Sequence, residues 1–112
     1  MTQAQAVQGA DSALSALRTR FVERLTVTIE RLDMMAESLA EGIEPSTNLV
    51  GIIDELHRLS GIAGSFGYAE LGVEAAELEM AFREVRRTEE AHALLDKLDV
   101  HVARIDEITN GR

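Results

Sequence analysis

Three side chains in this sequence could act as neutral nitrogen nucleophiles: His57, His92 and His101. Cysteine is absent, which removes thiol nucleophiles, thiolate metal sites and disulfides together. An exposed imidazole titrates near pH ~6.5, so at neutral pH one ring nitrogen mostly keeps a free lone pair. Only His57 stands in an unusual setting, the run His57-Arg58-Leu59-Ser60-Gly61-Ile62-Ala63-Gly64-Ser65-Phe66-Gly67. Gly61 and Gly64 fall within a segment of helical apolar period, where each costs about 1 kcal/mol relative to alanine. With about 100° per residue and an apolar stripe through Leu49, Leu56 and Ala63, His57 lies roughly 115° from the stripe, on a solvent flank. Gly61 is about 40° and Gly64 about 20° from His57, so the wheel sets bare backbone beside an exposed imidazole. That arrangement suits a nucleophile approached closely by a partner's reactive group, and in-line attack on a phosphoryl group needs little else from its own chain. The plainer reading is that the glycines let a neighbouring helix approach. It leaves unexplained why a histidine shares their lane, away from the core. His92 and His101 read as solvated surface residues.

Helices must position this run, and four apolar stripes supply them. Leu14, Leu17, Phe21, Leu25, Ile29, Leu32, Met35 and Leu39 recur every three or four residues, one stripe on a helix of roughly seven turns. Gly42 reads as its stop and Pro45 as a first-turn residue of the next helix. That second helix is expected from about Ser46 to Phe66, closed by Gly67 in a left-handed conformation. Leu71, Ala75, Leu78, Phe82 and Val85 mark a third. Thr88 is the expected N-cap of a fourth, with Glu89 and Glu90 set favourably against its dipole and Ala91, Leu94, Leu95, Leu98, Val102, Ile105 and Ile108 along it. Four such stripes on short loops bury themselves only against each other, which predicts an all-α, antiparallel up-down four-helix bundle. Residues 1–10 read as a lead-in or a short extra helix, and residues 11–112 as a single domain.

Composition narrows the partners. The 112 residues carry 11 basic and 20 acidic side chains, a net charge of −9, which argues against nucleic acid and against an anionic membrane surface. No apolar run approaches the ~20 residues of a spanning helix, and the first residues lack the charge and apolar core of a signal peptide. A cytoplasmic location is the expectation.

The run His57-x-x-x-Gly61-x-x-Gly64-x-Phe66-Gly67, followed by Leu71 and by Leu78-Glu79, resembles the histidine-containing phosphotransfer (HPt) domains of bacterial phosphorelays. The resemblance implies a helical bundle whose second helix carries the phosphoacceptor, here His57. It also implies exchange with the aspartate of response-regulator receiver domains, with a hybrid sensor histidine kinase upstream. Magnesium is then expected on the receiver, with no cofactor on this chain, which is expected to be a monomeric carrier without kinase or ATPase activity. Arg58, Ser60, Gly61, Gly64 and Ser65 fall in the expected docking and phosphoryl surroundings. The chain departs from the family at Ser60, where a lysine is common. Serine offers the phosphoryl oxygens only a neutral hydrogen bond, and Arg58 lies about 100° from His57 on the wheel.

Two rival readings remain in the sequence. Asp54-x-x-His57 and Glu89-x-x-His92 have the spacing of di-iron bundle ligands, but the wheels turn these residues outward, so no metal site is expected. An interaction module in which His57 is chemically idle is the other alternative. No phosphate-binding loop or catalytic triad pattern is present.

Overall fold

The computed structural model describes residues 3–110, with side chains from residue 12 onward. Four helices follow one another: α1 (Gln3–Ala40), α2 (Pro45–Ile62), α3 (Ala69–Arg83) and α4 (Thr88–Thr109). Helix α1 packs on α2 and α4, and α3 on the same two, so consecutive antiparallel helices close a four-membered ring. The expected bundle is the one found. Its core takes Phe21, Leu25, Leu32 and Leu39 from α1, Ile52, Leu56 and Leu59 from α2, Leu71, Ala75, Leu78 and Phe82 from α3, and Ala91, Leu98 and Ile105 from α4.

The loops follow the expected turn chemistry. Gly42 sits at φ 75° and ends α1, and Pro45 opens α2 at a position where its missing N–H costs nothing. Asn48 Nδ2 donates to the carbonyls of Ile43 and Glu44, tying the turn to the first turn of α2. At α4 the expectation shifts by one residue. Arg87, extended, occupies the cap position, Thr88 is the first helical residue, and the Glu90 carboxylate accepts the Arg86 N–H at 3.2 Å.

Three sequence expectations need correction. The backbone of α1 is continuous from Gln3, so there is no separate N-terminal helix. Leu14 and Leu17 are exposed although they lie on the core stripe of α1. A 38-residue helix is about 57 Å long and a 22-residue helix about 33 Å, so α1 outruns its partners and the stripe continues past the end of the bundle. Finally, α2 stops at Ile62, and Ala63–Phe66 form a single 3-10 turn closed by Gly67 at φ 87°. This turn brings Phe66 over Phe21, ring centroids 4.7 Å apart, and Tyr68 stacks on the same ring at 5.5 Å.

Candidate functional site

The site lies where α2 meets α3. Helix α2 buries Ile52, Leu56 and Leu59, which turns His57 outward, and its side chain is 65% exposed. On α3, Leu71, Ala75, Leu78 and Phe82 face the core, and Glu79 follows Leu78 toward α2. The two helices thereby bring His57 Nδ1 within 3.0 Å of Glu79 Oε2 and 3.2 Å of Oε1. Arg83, one turn along α3, donates from Nε to the same Oε2 at 2.8 Å.

These contacts fix the chemistry of the imidazole. Burial pushes the Glu79 carboxyl up, but the hydrogen bonds and charges of Arg83 and His57 outweigh it and hold the group below its usual range. Glu79 is therefore an ionised acceptor at neutral pH, and the contact needs the ring to donate from Nδ1. In the neutral ring the lone pair then lies on Nε2, which no described residue bonds. The nitrogen farther from the backbone is the free one.

The other histidines differ. His92 is exposed, as expected of a surface residue, and its Nε2 donates to the carbonyl of Leu39 at 3.0 Å, a bond between helices. His101 is fully buried, against the expectation of a surface residue. Its Nδ1 donates to Glu74 Oε1 at 2.6 Å, and its Nε2 has no partner. In the apolar interior, desolvation lowers the pKa of His101 more than Glu74 raises it.

Gly61 and Gly64 both face open space: a Cβ at either would meet no atom within 4 Å. The close-packing explanation therefore fails for them. Only Gly61 lies on α2, however. Gly64 and the exposed Ser65 belong to the 3-10 turn, so the angle read for Gly64 on a continuous wheel does not hold. Two other glycines do admit a neighbour: Gly51 of α2, against which the Met35 side chain of α1 packs, and Gly72, which is buried on α3. A Cβ there would lie 3.4 Å from both Ala63 Cβ and the Ser60 carbonyl oxygen.

Ser60 turns its hydroxyl back onto its own helix, donating to the His57 carbonyl at 2.8 Å. Arg58 points elsewhere, with Nη2 2.8 Å from Asp54 Oδ2 and Nη1 4.0 Å from Glu55 Oε1. The cation connected to His57, through Glu79, is Arg83. Sequence reasoning quoted Glu79 only as part of the family motif, without a contact to His57, and did not single out Arg83. Their spacing of four on one helix was visible, but the pairing of α2 with α3 that delivers them to His57 was not. Asp54 is engaged by Arg58, and no cluster of three potential metal ligands occurs among the described residues.

No curated protein and no solved structure matches this chain. The family model described as Hpt domain matches residues 16–108, which takes in all of the buried core and the whole His57 site. With an outward imidazole held on the second helix of a four-helix bundle, the chain belongs to the Hpt domain family, whose members are phosphotransfer carriers of phosphorelays.

Proposed function

We propose that His57 Nε2 accepts a phosphoryl group from the aspartate of a receiver domain and passes it to the aspartate of another. The observation that carries this reading is the contrast among the three histidines. Only His57 combines an exposed ring, a tautomer fixed by a carboxylate and a nitrogen that no described residue bonds.

The reaction balances without a proton transfer. The Nε2 lone pair forms the bond to phosphorus while the aspartyl P–O bond breaks, and that electron pair returns to the carboxylate. The ring keeps its Nδ1 proton, becomes positively charged and is stabilised by the ionised Glu79. In the reverse direction the departing group is a neutral imidazole, already in the right tautomer. Glu79 is thus a positioning residue for both directions of exchange. Magnesium belongs to the receiver side of the complex. Gly61, Gly64 and the exposed Ser65 leave the approach to His57 unobstructed, and receiver domains, with a hybrid sensor histidine kinase upstream, are the partners this surface serves. The chain acts as a monomeric carrier in the cytoplasm.

Incubation with a phosphorylated receiver should place an acid-labile, base-stable label on the chain. His57→Gln should abolish the label with helical content unchanged and little change in melting, since His57 lies outside the core and only its hydrogen bond to Glu79 is at stake. Labelling that survives this substitution would overturn the assignment.

A further inference from the structure

The Glu79 carboxylate serves two donors at once, and only one of them has to stay. Oε2 accepts from His57 Nδ1 at 3.0 Å and from Arg83 Nε at 2.8 Å. A neutral ring gives Glu79 a hydrogen bond but no charge, and Arg83 is then the cation that faces the carboxylate. Once Nε2 carries phosphorus, the ring itself is the cation facing Glu79, and the hydrogen bond becomes an ion pair. Arg83 is then superfluous where it stands. At the same moment up to two negative charges arrive on the other side of the ring, on a molecule whose net charge is already −9.

We propose that Arg83 is an exchangeable cation, held by Glu79 while His57 is free and turning onto the phosphoryl oxygens when His57 is phosphorylated. This rests on His57 being the acceptor. Three observations single out Arg83. Its side chain is 55% exposed, so it can swing without unpacking the core. Its bond to Glu79 lies within α3, four residues apart, so releasing it breaks no contact between helices. Two other arginines beside α2 are held by other carboxylates: Arg58 is 2.8 Å from Asp54, and Arg31 is 2.9 Å from Glu55. The guanidinium offers a planar fork of donors that matches two phosphoryl oxygens, which a lysine ammonium does not.

The test uses the full chain phosphorylated two ways, chemically with phosphoramidate and enzymatically with a phosphorylated receiver. With phosphoramidate, the NMR signal of the Arg83 Nε–H should shift on phosphorylation of the wild type, and His57 should keep its Nδ1–H tautomer. With the receiver, Arg83→Gln should lower the equilibrium fraction of labelled His57 by about two- to fivefold, the range for an exposed charge contact. Arg83→Lys should recover part of that loss, and high salt should erase the difference between variants. An unmoved Arg83 signal, or an Arg83→Gln fraction equal to wild type with the label on His57, would overturn the exchange alone. Label on a residue other than His57 would overturn the acceptor assignment beneath it.

Discussion

Glu79 decides which nitrogen of a neutral His57 keeps its lone pair, and it does so from a different helix. Nothing in the spacing of α2 alone could reveal this, because a helical wheel locates a face without saying what stands opposite. What the wheel did reveal was that His57 is on a solvent flank, where its side chain is 65% exposed. The same wheel set Arg58 about 100° from His57, so it did not show what stands in for the lysine commonly found at Ser60 in the family. Arg58 is spent on Asp54 and Arg83 is joined to Glu79, and the proposed exchange gives that place to Arg83. These positions make a prediction at the scale of single side chains. Ser60→Lys costs one hydrogen bond to a carbonyl of its own helix and puts an ammonium beside His57. It should raise the equilibrium yield of phosphorylated His57 more in an Arg83→Gln background than in wild type, because in wild type a cation already serves the phosphoryl group. Arg58→Gln should leave the yield unchanged. A double-mutant cycle on labelled fractions measures the coupling between the two cations, and additive effects would mean that they act independently.

The glycines act at the scale of elements, and Gly61, Gly67 and Gly72 do three different things. Gly61 is a helical residue with open space around its Cα, so Gly61→Ala should raise stability by about 0.5–1 kcal/mol through helix propensity. Larger side chains there should slow phosphotransfer at unchanged stability, because they stand beside the imidazole. Gly67 ends the 3-10 turn at φ 87°, and Gly67→Ala should lose about 1–2 kcal/mol through the left-handed strain of an L-residue. Gly72 holds α3 against Ala63 and Ser60, so Gly72→Val should destabilise by about 1–3 kcal/mol as its γ-methyls press on α2 and the turn. Chemical denaturation of the three variants separates these roles, and a destabilised Gly61→Ala would contradict the open geometry. Helix boundaries explain what was legible here. The stops at Gly42 and Gly67 and the start at Pro45 follow from local backbone chemistry, which sequence carries. The change from α-helix to 3-10 turn at Ala63 serves the stacking of Phe66 and Tyr68 on Phe21, a contact between distant segments. A periodic pattern cannot announce it.

At the scale of the whole molecule, His101 couples the bundle to pH. Its position was legible after all: Leu94, Leu98, His101, Ile105 and Ile108 step by four, three, four and three, so the histidine occupies the core stripe of α4. The apolar pattern was read without it because histidine is usually a surface residue. Buried as it is, His101 donates from Nδ1 to Glu74, whose other oxygen takes Arg104, and leaves Nε2 as an unpartnered lone pair. A neutral ring tolerates that. Protonation would place an N–H without an acceptor in the interior, together with a charge removed from water, and this outweighs the attraction of Glu74. The folded-state pKa is accordingly below the ordinary 6.5, while the unfolded chain titrates near it. Between those two values the unfolded state binds more protons than the native state, so stability rises with pH through that window. The contribution is fully present above about pH 6.5 and is lost as pH falls through the native pKa. Unfolding free energy measured from about pH 7.5 downward should therefore decline below about 6.5 in the wild type. His101→Leu fills the same core position without a titrating ring and leaves Glu74 its contact with Arg104, so the part of the decline due to this residue should vanish in the variant. Parallel curves for the two proteins across the window would show that His101 is not the group that links this bundle to pH.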